Sequence, residues 1–274
     1  MDLNNLTSNK GQGENVSRIR RNKGRVLAVA AAAVAVMAAV AGSASGVTVK
    51  SGILEATFEG KISPTAFPKK EKAPVTLTLE GKLKTTDGSH IPAVKTVSLD
   101  FDKAGELFTK GLPTCKQGEL ESTLTAQAKK VCGDALVGTG RVTADIAFPE
   151  QPPFGASGPL LIFNASKGNK QALLLHVYAK VPAPTTFVVP VKIKKTGGKY
   201  GTNAFIRVPT ITSGSGSVTS FKAKIGKKWT DGGKSESLLN ASCPTGTLFV
   251  HGDFAFAEGT KLSGTFSKPC TPKG

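Results

Sequence analysis

Short apolar–polar alternation, bounded repeatedly by Gly, Pro, Asn and Ser, is the feature that most limits what this 274-residue chain can fold into. In TVSLDFD, Val97, Leu99 and Phe101 fall on one side; in SFKAKIG, Phe221, Ala223 and Ile225 do. Successive side chains of a strand point to opposite faces, so a period of two marks a half-buried β-strand. The segments GILEATFEG, VTLTLEGKL, GRVTADIAF, PLLIF, ALLLHVYAKV, TFVVPVKIKK and NAFIRV read the same way. Many short strands with turn signals between them predict an all-β protein, and the expected packing is β-sandwich-like with two similar halves. One short helix is expected near residues 122–136, where Leu124, Ala128, Val131 and Ala135 recur at helical spacing and would pack on a sheet. PLLIF and ALLLHV hold more apolar residues than one buried face needs, as in strands covered on both sides.

Four cysteines punctuate this pattern, and two of them stand in the same phrase, Cys-x2-Gly-x-Leu, at Cys115 and Cys243. With the strands before them and a second cysteine after each, the phrases suggest a diverged duplication. The segment Pro149–Pro159, rich in proline, is the expected boundary between a first half, 45–158, and a second, 159–274. No CxxC pair occurs and His90, His176 and His251 are scattered, so zinc-type ligand spacing is missing and no metal site is expected. An even cysteine number in an exported chain favours disulfides. Of three connectivities, the expected one pairs Cys115 with Cys132 and Cys243 with Cys270, a staple used once in each half.

Export itself is read from the N-terminus. Arg18, Arg20, Arg21, Lys23 and Arg25 precede the apolar run Val26 to Ala41, which the small residues GSASG follow. Basic region, apolar core and small-residue site describe a secretory signal peptide over residues 1–44, cleaved after Ala44. The run is too short and too rich in alanine for a good membrane span. Secretion or an extracellular cell-surface location follows.

Charge is unevenly spread. The chain carries a formal +17, yet residues 45–158 hold 14 Lys or Arg against 13 acids, whereas residues 159–274 hold 16 against four. Lys192 and Lys194 alternate with Val191 and Ile193, and Lys222 and Lys224 alternate with Ala223 and Ile225. If those two strands are neighbours, their lysines line one surface, extended by Lys195, Lys199, Lys227 and Lys228. Such a face would attract a polyanion. Arginine and polar aromatics are scarce, which disfavours sequence-specific nucleic acid and points to an anionic cell-wall polymer or an anionic lipid surface.

Catalytic signatures are sparse. The serine-hydrolase elbow, P-loop, dinucleotide fingerprint, zincin helix and calcium loop are all missing, and no cofactor is implied. His251 with Asp253, or the same-face carboxylates Asp100 and Asp102, are the nearest approach to an acid–base pair. His176 alternates with Tyr178 and Lys180, which places it on a polar surface. The Asn164 and Asn240 glycosylation sequons are expected to be incidental.

The cysteine pattern, the helix ending in CGDALVGTG, and the stretches LLLHVYAKVPAPTTFVVPVKI, GSGSVTSFKAKIGKKW and GTKLSGTFSKPC resemble a group of exported proteins of high-GC Gram-positive bacteria with no established activity. The resemblance covers nearly all of the chain after the signal segment and implies export without supplying catalytic residues. Three functions are therefore expected in turn: a non-catalytic binder of anionic polymers through the lysine face, a carrier of an apolar or lipid ligand, and a hydrolase using a carboxylate pair.

Overall fold

Residues 46–274 are described by the computed structural model, and the expected signal segment, 1–44, lies outside them. The strands are β1 Val47–Ser51, β2 Leu54–Ser63, β3 Thr76–Thr85, β4 Val94–Asp102, β5 Leu136–Ile146 and β6 Phe154–Asn164. They continue with β7 Ala172–Ala179, β8 Thr185–Lys195, β9 Tyr200–Arg207, β10 Gly216–Ile225, β11 Thr247–Phe256 and β12 Lys261–Pro269. All twelve belong to one antiparallel sheet in the order β1-β2-β3-β10-β5-β6-β7-β8-β9-β4-β11-β12, which curls into a nearly closed barrel rather than the expected sandwich. A sandwich buries one sheet against another; a sheet whose edges meet buries its inner face against itself.

Closure occurs where β1 and β2 approach β12, and among the described residues no hydrogen-bonded ladder joins them. Close packing takes its place. A Cβ at Gly264 of β12 would come within 2.6 Å of Val49 Cγ1 on β1, so only glycine lets these edges meet. Because β1 pairs with β2 only through Leu54 to Phe58, the second half of β2 faces β12 directly, with Gly60 lying against the Phe266 ring.

Strands from before and after residue 158 alternate in this sheet: β10 lies between β3 and β5, and β4 between β9 and β11. The boundary segment itself runs into β6, which starts at Phe154 and carries Pro159 opposite Arg141. Proline is tolerated there because the ladder from β6 to β7 begins one residue later, at Leu160.

The two ends of the barrel differ. One end, called here the plugged end, receives the long connections 64–75, 103–135 and 226–246 together with the C-terminus. These fold into a three-stranded patch of Ala73–Pro74, Leu239–Ala241 and Gly105–Leu107, a hairpin of Lys228–Asp231 with Lys234–Ser237, and the parallel pair Ala66–Pro68 with Thr271–Lys273. The opposite end, the loop end, carries only the turns 52–53, 86–93, 147–153, 180–184, 208–215 and 257–260.

Both disulfides are the expected pairs, Cys115–Cys132 and Cys243–Cys270, with Cα atoms 5.6 and 6.1 Å apart. Their shared phrase, however, folds two ways. In CKQGEL the residues after Cys115 form the single turn α1, Gln117–Leu120; in CPTGTL, Gly246 takes φ +80° and turns the chain into β11. Common to both is the leucine, since Leu120 and Leu248 are each buried.

A second helix, α2 at Thr125–Cys132, follows α1 where the sequence places it. Glu119 and Gln127 accept hydrogen bonds from the N–H groups of Lys116 and Leu124, each at 2.9 Å, which satisfies donors at both helix starts. The buried stripe differs from the expected one. Ala128, Cys132 and Ala135 face the barrel, while Leu124 and Val131 stay 45 % and 56 % exposed. A helix of eight residues orients on its anchor, and here the anchor is Cys132, one turn after Ala128.

Candidate functional site

Along each strand the alternating apolar residues point into the barrel. Val97, Leu99 and Phe101 of β4, like Phe221, Ala223 and Ile225 of β10, line a cavity of about 590 Å³ that runs the length of the lumen. It reaches from Leu239 and Ala241 at the plugged end to Val181 and Ile211 at the loop end. At the plugged end Leu112 and Leu238 pack with the wall residues Leu160, Ile162 and Leu173. Cavities of roughly 300–1,000 Å³ with mainly apolar walls are the usual form of a small-molecule site.

Four charged residues line this cavity: Lys61, Asp102, Glu106 and Lys268. Asp102 accepts hydrogen bonds from the N–H groups of Ala104, at 2.9 Å, and Phe249, at 3.2 Å. Glu106 pairs with Lys72 at 3.1 Å. Neither lysine has a carboxylate within ion-pair distance among the described residues.

The outer face is polar or covered. Helices α1 and α2 lie over β6, β7 and β8, where Leu161, Phe163 and Leu174 form a second core with Leu120, Ala128 and the Cys115–Cys132 bridge. His176 belongs to this outer face as alternation requires, yet it is fully buried and not a surface histidine. Its Nε2 lies 3.0 Å from both the carbonyl and the hydroxyl oxygen of Thr123. That hydroxyl already donates to the Leu120 carbonyl, so Nε2 carries the proton and donates to Thr123. Nδ1 has no partner. Burial therefore pushes the imidazole pKa below its ordinary value, because the charged form would bury a second, unmatched N–H.

The lysines do not form one face. Strands β8 and β10, bearing Lys192 with Lys194 and Lys222 with Lys224, are separated by β5, β6 and β7. That is roughly 19 Å along the sheet at about 4.8 Å per strand. Lys222 is paired with Glu80, its cross-strand neighbour on β3, and holds that carboxyl below the usual range. Lys227 donates to the Asp134 carbonyl, and the Lys199 ammonium sits 4.3 Å from the centre of the Phe249 ring. Lys195 and Lys228 are exposed at strand ends.

The acid–base candidates are also separated in role. Asp100 accepts from Asn203 at 2.9 Å, whereas Asp102 holds backbone N–H groups at the lumen wall. His251 has Nδ1 2.8 Å from Thr265 Oγ1 and Nε2 3.3 Å from Ser263 Oγ, and Ser263 donates to Asp253 at 2.7 Å. The carboxylate thus lies on the serine's side of the ring, 3.4 Å from Nε2, while Nδ1 meets a threonine, so no carboxylate holds the nitrogen opposite the serine as in a catalytic triad. Glu119 lies near the sulfurs of Cys115 and Cys132, but those sulfurs are bonded to each other and offer no thiolate.

Asn164, of the first sequon, is fully buried and ties the plug to the wall. Its amide donates to the carbonyls of Leu112 and Pro113, at 3.2 and 2.9 Å, and its oxygen accepts from Ser166 N–H. An asparagine closing an apolar strand, just before the short polar turn around Gly168, is the signal in the sequence.

What the geometry defines is an antiparallel barrel with an apolar lumen and a polar or covered exterior. Comparison with protein families, with curated proteins and with solved structures found no match. Among the described residues, no helix is long and apolar enough to cross a membrane.

Proposed function

We propose that this protein is an exported, non-enzymatic carrier that holds an apolar ligand inside the barrel. The observation that carries this reading is the lumen: about 590 Å³ lined almost wholly by the apolar faces of the strands. A folded chain does not ordinarily leave such a space, because interiors pack to crystal-like density and voids forfeit dispersion contacts. The doubly covered strands β6 and β7 add to it. Their outer face packs under helices while the inner face, with Leu160, Ile162, Leu173 and Leu175, is left to the cavity. A polyanion site is less well supported, since three strands separate the two that carry the lysines.

Titration with the neutral fluorophore N-phenyl-1-naphthylamine, together with native mass spectrometry, tests the reading. The expected result is saturable fluorescence enhancement that is lost when Leu175→Phe and Ala204→Phe fill the lumen. No enhancement by the wild-type chain, or equal enhancement by the filled variant, would overturn it.

A further inference from the structure

Resting on that lumen reading, we infer that the ligand is an anionic amphiphile with a single long apolar chain, its head group held by Lys268 at the seam between β2 and β12. Along β12 the residues Leu262, Gly264, Phe266 and Lys268 share the face that packs toward β1, β2 and the lumen. Lys268 is thus a lysine placed where every other alternate position is apolar. It lies opposite Leu248, itself buried, and is half-buried rather than free in solvent.

Among the described residues its charge has no carboxylate within ion-pair distance. The two acids of the cavity are occupied elsewhere, Glu106 by Lys72 and Asp102 by two backbone N–H groups. Lys61 stands at the rim of the same seam, exposed on the outer face of β2 next to the Gly60 that meets Phe266. An ammonium at the edge of an apolar chamber favours an anion whose remainder is apolar, because the head forms a charge-assisted hydrogen bond while the tail leaves water. The seam fits this division. It has no ladder hydrogen bonds to break among the described residues, so a head group can sit between the strands with its chain inside.

Alternation also explains why a merely solubilising lysine is a poor account of this position. Lysines that protect an edge strand stand on its solvent face, as Lys261 does at the exposed start of β12. Lys268 is on the opposite side.

The test compares palmitate with hexadecanol, each below its aggregation threshold at pH 7.5, binding to the wild-type chain and to Lys268→Met. Methionine keeps the length and apolar stem and removes the charge. Wild type is expected to prefer palmitate roughly ten- to hundredfold, a range set by a charge-assisted hydrogen bond in a partly dry site. Lys268→Met should lose that preference and keep hexadecanol binding, with Lys61→Met producing a smaller loss. Equal binding of acid and alcohol by wild type, or an unchanged ratio in Lys268→Met, overturns the head-group assignment and leaves the lumen site standing. Failure of both ligands to bind wild type overturns the lumen site and the assignment together. Unchanged thermal melting of Lys268→Met separates lost recognition from lost fold.

Discussion

Leu174 and Leu175 are consecutive residues of β7, yet they live in different surroundings. Leu174 points outward beneath α1 and α2, packed with Leu161, Phe163 and the Cys115–Cys132 bridge; Leu175 points inward and lines the cavity. The first side of this wall is a conventional core, closed by helices and a covalent staple. The second has equally apolar residues around a cavity of about 590 Å³, which Leu112 and Leu238 close only at the plugged end. Hydrophobicity is the same on both sides, so it does not by itself decide where a chain packs tightly. What differs is coverage, and coverage is what separates a structural face from a binding face in this barrel.

That contrast can be broken by truncating each side in turn. Leu174→Ala should destabilise the fold by about 2–5 kcal/mol, since it opens a cavity in a packed region. Leu175→Ala should cost less than half as much, because its methyl groups already border empty space and little contact is lost. Urea unfolding of the two variants measures the difference, and equal losses would mean that the lumen is packed in solution. A loss comparable to that of Leu174→Ala is expected from replacing Cys115 and Cys132 with alanine. The bridge spans 17 residues, for which restriction of the unfolded chain amounts to about 3 kcal/mol. The loss should appear as exchange of the amides of α2 and β7 before those of the β11–β12 hairpin, where Cys243–Cys270 remains. Uniform exchange would show that the helical cover is not a separate unit of stability.

How far the sequence reveals this arrangement depends on the range of the interactions involved. Alternation at Val97, Leu99 and Phe101, and at Phe221, Ala223 and Ile225, correctly identifies the inner face, because a strand's two sides are fixed by local geometry. The excess of apolar residues in PLLIF and ALLLHV correctly signals two covered faces, and both disulfides form as their spacing suggests. Strand order is not legible. That β10 inserts between β3 and β5 depends on pairings such as Lys222 with Glu80, which are 142 positions apart and have no local signature. The same gap hides the site. Four lysines share one surface only if β8 and β10 are neighbours, which alternation cannot decide, and the inward parity of Lys268 matters only once β12 is known to close a barrel.

His176 offers the finest test of the two-sided wall, because it reads the dryness of the covered face directly. Burial holds the imidazole neutral in the folded state, with its pKa below the ordinary 6.5. In the unfolded chain it takes up a proton as pH falls through that value, while the folded protein does not until pH reaches the lowered one. Between the two the unfolded state binds more protons, so stability falls as pH falls. The contribution is fully present above about 6.5 and is lost on descent through the folded pKa. Its effect on the melting temperature should be smaller than that of either truncation above. Melting curves from pH 7.5 to 5.5 stay above the range where Glu55 and Glu80, held low by their lysines, begin to titrate. Over this window wild type should lose more melting temperature than His176→Gln, which keeps a donor for the Thr123 carbonyl and cannot be charged. Parallel curves for the two proteins would mean that water reaches His176 and that the helical cover opens. The outer face would then be no drier than the lumen it is contrasted with.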